Sequence, residues 1–152
     1  MFDLGRFLPY LLNRAGARIA TAFGGDVARY GVTLQMWRVL AALWHSGAQR
    51  LGDLAELTSI EVSTLSRLVG GMEAKGLVTR VRSDQDARVV TIDLTDDGRE
   101  TTRRIIPLAL HYEAVALDGL TGAEAEQLKE LLRRVYANMA KLDEAERLSV
   151  GG

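Results

Sequence analysis

The chain has 152 residues, 47% of them apolar, a formal net charge of −1 and no cysteine. That length and apolar share suffice for one compact core and leave no room for a second large catalytic domain. The absence of thiols excludes disulfides, a thiolate metal site and a cysteine redox switch.

Other classes are excluded on similar grounds. His45 and His111 stand far apart without ligand-like spacing and read as ordinary helix residues, so no metal site is expected. No Ser-His-Asp arrangement, phosphate-cradling glycine loop or ligand cluster occurs, and an enzyme is not expected. The apolar run FLPYLL is too short for a signal peptide, and no run approaches the roughly 20 residues of a membrane span. A cytoplasmic protein without membrane contact is the expectation. Charge divides unevenly: residues 1–50 hold six basic and two acidic side chains, 51–104 eight and ten, and 105–152 five and eight.

In chain order, residues 2–29 place Leu4, Leu8, Leu11, Ala15, Ile19, Ala22 and Phe23 at three- and four-residue spacing. That spacing predicts an amphipathic helix, with Pro9 near its start and Gly24-Gly25 weakening or ending it. The stripe reads as core or as a dimer interface. Gly31 breaks the chain, and Thr33 caps a second helix over 34–46 that buries Met36, Val39, Leu40 and Leu43. Arg50-Leu51-Gly52 suggests a short strand pairing with a later hairpin. A short helix over 53–57, a turn at Thr58-Ser59 and Ile60 filling the angle lead into the next helix.

In that helix Val62, Leu65, Leu68, Val69 and Met72 fall on one side, and Ser63, Arg67, Gly70 and Ala74 on the other. The outer face is small and hydroxylic with one cation, suited to lie close to a hydrogen-bonding surface such as the major groove. Lys75-Gly76 marks its stop. Residues 77–82 and 89–94 read as strands joined by SDQDA, a hairpin with Arg82 and Arg88 at its tip. Thr95 caps a helix over 96–117, in which Pro107 predicts a kink or break. Thr121 and Glu124 form a capping box opening a last helix to about residue 142, with the stripe Leu128, Leu131, Leu132, Val135, Tyr136, Met139 and Leu142. The polar tail from Asp143, ending in Gly-Gly, is expected to fray.

The segment LAELTSIEVSTLSRLVGGMEAKGLVTR resembles the helix-turn-recognition-helix of the MarR family of winged helix-turn-helix regulators. DARVVTIDLTDDG is similar to that family's wing and its L-T-x-x-G helix start. The two motifs are contiguous over residues 54–98, and the flanking helices match the family's layout. The resemblance implies a mainly α fold with a small β-hairpin wing: a winged lobe over 30–100 with dimerisation helices over 1–29 and 105–142, in a single domain of residues 1–152. It further implies a homodimer on double-stranded DNA with a pseudo-palindromic target, acting as a ligand-responsive regulator. The family default is repression of a nearby catabolic or efflux operon, relieved by a small aromatic or phenolic effector, with no cofactor.

On this reading Ser63, Thr64 and Ser66 are permissive base readers, Arg67 grips guanine or a phosphate, and Arg82 and Arg88 bind DNA from the wing, Arg88 reaching the minor groove. Asp86 orders the tip by pairing with an arginine; turn chemistry explains the same aspartate. Tyr10, Arg14, Trp37, Arg38 and His111 border the segments where a planar carboxylate or a thioester carbonyl would bind; helix-packing aromatics and exposed arginines explain the same residues. The sequence departs from the family pattern at Ser59, often glycine, at Gly70-Gly71, usually polar or basic, and at Ala87, often a second arginine. An alternative is a winged-helix protein-assembly module that binds no specific DNA.

Overall fold

The computed structural model describes the backbone of residues 1–150 and the side chains of residues 1–143. Residues 1–112 form one compact unit and the chain from Glu113 onward a second. A 3-10 turn at Leu4–Arg6 leads into helix α1 (Leu8–Val27). Pro9 lies in its first turn, where its missing N–H costs nothing. The helix starts beside Pro9, as the proline signals, although the apolar stripe begins earlier, and it continues through Gly24 and Gly25 instead of ending there. Phe23 before the pair and Val27 after it are both buried and hold the last turn in place. After a 3-10 turn at Ala28–Tyr30, Gly31 takes a left-handed φ of 69°. Helix α2 (Leu34–Ser46) follows, with the Thr33 hydroxyl accepting from the Met36 amide at 3.2 Å.

Strand β1 is only Gln49–Arg50, so the expected strand lies one to two residues earlier. Helix α3 (Leu51–Thr58) is correspondingly longer than expected. Ser59 closes it in the left-handed region at φ 54°, a conformation that costs a serine and explains why glycine suits this turn. Ile60 is buried in the angle, and helix α4 (Val62–Ala74) leaves it. Leu65, Val69 and Met72 are fully buried and Leu68 is half-buried, but Val62 is exposed, because the first turn of α4 extends beyond the core. Gly76, at φ 74°, completes the stop, and the Leu77 amide reaches back to the Met72 carbonyl at 3.0 Å.

Strands β2 (Val78–Arg82) and β3 (Val90–Leu94) pair antiparallel, Arg80 opposite Ile92, and β1 adds to the other edge of β3. Helix α5 (Asp96–Ala116) then continues through Pro107, so of the kink or break expected there the break does not occur. Thr102 and Ile105 before the proline are fully buried, and Leu108, Ala109 and Tyr112 after it pack on the same core, so tertiary contact on both sides outweighs the lost bond. The lobe's core therefore draws on Phe23, Val27 and Ile105 as well as on residues 30–100.

In the second unit the capping box forms as read, the Thr121 amide donating to Glu124 at 2.8 Å and the Glu124 amide to the Thr121 hydroxyl at 3.2 Å. Helix α6 (Gly122–Val150) runs through the segment expected to fray; Gly151 and Gly152 of that tail lie outside the described residues. None of its described side chains is buried.

The start of α5 explains the L-T-x-x-G pattern. The Thr95 hydroxyl donates to the Gly76 carbonyl at 2.5 Å and accepts from the Gly98 amide at 3.0 Å, while the Thr95 amide donates to the Leu77 carbonyl at 3.1 Å. A Cβ on Gly98 would sit 1.9 Å from the Leu77 carbonyl oxygen. Gly70 and Gly71 differ, since nothing lies within 4 Å of a Cβ added at either. In urea unfolding, Gly98→Ala is expected to lose at least about 1–3 kcal/mol through forced displacement of backbone. Gly70→Ala and Gly71→Ala are each expected to gain about 0.5–1 kcal/mol from helix propensity. A destabilising result at Gly70 or Gly71 would mean that the folded chain itself requires glycine there.

Candidate nucleic-acid interface

Helix α4 and the β2–β3 hairpin carry the candidate interface. Burial of Leu65, Val69 and Met72 turns the opposite face of α4 outward, so Ser63 and Arg67 are exposed one helical turn apart. Thr64 and Ser66 are half-buried on the flanks. Among the described residues the Arg67 side chain makes no hydrogen bond or ion pair, leaving its guanidinium available for a phosphate or a guanine edge.

The sequence reading missed the residue that organises the first turn. Glu61 is the N-cap of α4. Its carboxylate accepts from the Ser63 amide at 3.0 Å, the Thr64 amide at 3.1 Å, the Thr64 hydroxyl at 3.3 Å, and the Ser63 hydroxyl. These bonds, led by the one from the Ser63 hydroxyl, hold the Glu61 carboxyl down at about 2. Glutamate is not among the favoured N-cap residues. The available signal was an acidic side chain two and three positions before two hydroxyl residues at a helix start.

The hairpin tip is internally braced. The Ser83 amide donates to the Val89 carbonyl at 2.9 Å and the Val89 amide to the Asp86 carbonyl at 2.9 Å. The Asp86 carboxylate accepts from the Arg88 amide at 3.0 Å and from its guanidinium Nε at 3.3 Å. The Arg88 side chain is otherwise 93% exposed. Arg82 turns across the hairpin to donate to the Ala87 carbonyl at 3.1 Å.

Other cations of this region serve the fold. Arg80 donates to the Ser66 carbonyl at 3.3 Å and lies 3.9 Å from Glu73, tying β2 to α4. The Lys75 ammonium is 3.4 Å from the Gly31 carbonyl, which it can bond. Neither adds a free positive charge to the outer face.

The five residues considered for an effector fall into separate groups within residues 1–112. The Arg14 guanidinium lies 5.4 Å from the centre of the Tyr10 ring, and both line a shallow depression with Leu4, Phe7, Pro9 and Asn13. Trp37 and His111 belong to an aromatic row: Trp37 meets Phe23 edge-on at 5.7 Å, Phe23 meets Tyr112 at 5.6 Å, and Tyr112 meets His111 at 5.6 Å. Tyr112 donates its hydroxyl to Asp26 at 2.5 Å, and this bond raises the phenol above its ordinary value. Arg38 is exposed, and neither it nor Trp37 nor His111 lines the depression at Tyr10. Among the described residues no group of histidine or acidic side chains could hold a metal ion, and no helix is long and apolar enough to cross a membrane.

Comparison with known proteins agrees with this arrangement. Residues 32–90 match the model of the MarR family. A MarR family transcriptional regulator from Silicibacter pomeroyi DSS-3 is 33% identical, with a TM-score of 0.77 over 91% of this chain and 99% of that one. BpsR of Bordetella bronchiseptica, whose DNA binding is regulated by 6-hydroxynicotinic acid, is 27% identical with a TM-score of 0.81, over 90% and 97%. The transcriptional repressor IacR of Pseudomonas putida is 25% identical over 88% of this chain and 80% of its own. With its fold, its exposed reading helix and its braced wing, the chain belongs to the MarR family of winged-helix, DNA-binding transcriptional regulators, which are not enzymes.

Proposed function

We propose that this chain is a ligand-responsive repressor that binds a pseudo-palindromic operator as a homodimer and acts in the cytoplasm on a nearby catabolic or efflux operon. The observation that carries the reading is the pairing of an exposed, hydroxylic α4 face bearing Arg67 with a hairpin tip whose Arg88 projects into solvent. In this reading α4 enters the major groove, and Ser63, Thr64, Ser66 and Arg67 face the base edges. Arg88 reaches the minor groove, where A·T-rich narrowing concentrates negative potential, from a tip ordered by Asp86 and Arg82.

Two exposed apolar surfaces support dimerisation. Toward the N-terminus Phe7, Leu8, Leu11, Leu12 and Ile19 are 38–48% exposed, and on α6 Leu128, Leu131, Leu132, Tyr136, Met139 and Leu142 are 39–61% exposed. The start of α1 and the described length of α6 bury none of their own side chains, and a partner that covers such stripes stabilises them. A second copy supplies one and sets two reading heads on a twofold axis.

Effector control follows by linkage: a ligand that prefers a dimer with wrongly spaced reading heads lowers DNA affinity. BpsR, whose DNA binding responds to a hydroxylated aromatic acid, supports an aromatic effector, and IacR, a repressor, supports repression. The candidates here are Tyr10 with Arg14, and Trp37, Arg38 and His111, for a planar carboxylate. A protein-assembly role for the winged lobe has the near-neutral charge in its favour, but the solvent-facing Arg67 and Arg88 favour DNA.

Fluorescence anisotropy against the upstream intergenic duplex and a scrambled one, over a salt series, tests the reading. The native duplex is expected to bind at least about a thousandfold more tightly, with log affinity falling steeply as log salt rises. Arg67→Ala should cost about 1–3 kcal/mol and relax preference at one base pair, whereas Arg88→Ala should weaken all duplexes and reduce the salt slope by about 1. Equal, weak binding of both duplexes, unaffected by Arg88→Ala, would instead favour the assembly role. Light scattering should give twice the 16.6 kDa chain mass, and Leu131→Glu should halve it.

A further inference from the structure

We infer that Glu61 sets the base preference of the recognition helix by turning the Ser63 and Thr64 hydroxyls into obligate acceptors, so that the first turn of α4 selects an exocyclic amino group of cytosine or adenine. The inference rests on the proposal that α4 reads the major groove. A serine or threonine hydroxyl ordinarily donates or accepts as the base requires, which makes it a permissive reader. Each hydroxyl has a single hydrogen, however, and an ionised carboxylate only accepts.

Here both hydroxyls lie within hydrogen-bond reach of a carboxylate that can only accept, so each turns its hydrogen toward Glu61. The Ser63 hydroxyl donates to Glu61 Oε2, and the Thr64 hydroxyl donates to the same oxygen at 3.3 Å. The two amides behind them donate to Oε1 and Oε2 at 3.0 and 3.1 Å, fixing the carboxylate against the helix end. Those four bonds keep Glu61 ionised throughout the physiological range, so the hydroxyls do not regain their freedom near neutral pH.

What remains facing outward is lone pairs on the two hydroxyl oxygens beside a negative charge. In the major groove such a surface attracts cytosine N4 and adenine N6 and is repelled by guanine O6 and N7 and by thymine O4. Arg67, one turn further along the exposed face, offers only donors and favours the opposite pattern. Each half-site should therefore contain one position specified by an amino group and another specified by guanine.

The test is selection from randomised duplexes by the full chain, followed by single replacements in the selected half-site of each adenine by purine and each cytosine by 2-pyrimidinone, which lack the amino group. At one position the loss of that group is expected to weaken wild-type binding about tenfold. Glu61→Gln, whose amide can donate to a hydroxyl and turn its hydrogen outward, should bring that penalty close to one. Glu61→Asp, which keeps an ionised cap, should retain it. Ser63→Ala with Thr64→Val, which leaves the carboxylate in place, should abolish it and serves if Glu61→Gln does not fold. A selected sequence with the same amino-group penalty in wild type, Glu61→Gln and the double variant overturns this inference alone. Failure of the wild type to select any sequence overturns it together with the DNA-binding proposal.

Discussion

The carbonyl groups of Gly76 and Leu77 hold the reading lobe in register. Thr95 spans them, donating its hydroxyl to one and its amide to the other, and Gly98 lies flush against the second. Three junctions meet there: the stop of α4, the start of β2 and the entry from β3 into α5. Any side chain at Gly98 would force the start of α5 and the Leu77 backbone apart.

Around that junction the lobe separates structural from available charge. Arg80, Lys75 and Arg82 bond to backbone carbonyls, and Asp86 holds Arg88 by its amide and Nε without covering it. Exposed pairs of this kind contribute little stability, about 0–1 kcal/mol each. Their effect is to restrict where the cations point. This explains how a chain with net charge −1, whose tip balances Arg82 and Arg88 against Asp84 and Asp86, can still present an exposed guanidinium there: the position of a few charges matters more than their sum.

The remaining apolar surface is divided by the same economy. The lobe's core takes the end of α1, all of α2 to α4 and the middle of α5. The beginning of α1 and the described length of α6 keep their stripes exposed. Amphipathic helices of 20 and 29 residues with few or no buried positions are incomplete as they stand, which is the physical ground for the proposed homodimer.

Much of this was legible in the residues themselves. Periodicity located α2, α4 and α6; Thr33, Thr95 and the Thr121–Glu124 box gave the helix starts; Gly31 and Gly76 gave the breaks, because local rules decide local geometry. The wing motif and the helix before it carried the family. Tertiary structure alone decided the rest. Pro107 did not break α5 and Gly24-Gly25 did not end α1, since buried neighbours on both sides outweigh a local penalty. Val62 lay outside because a periodic stripe does not reveal where the core ends. Gly98 proved to be a matter of space, its missing Cβ admitting the Leu77 carbonyl. That contact depends on how close two segments come, which spacing along the chain does not contain; the Glu61 cap is local, two and three residues from its partners, and its signal was in the sequence.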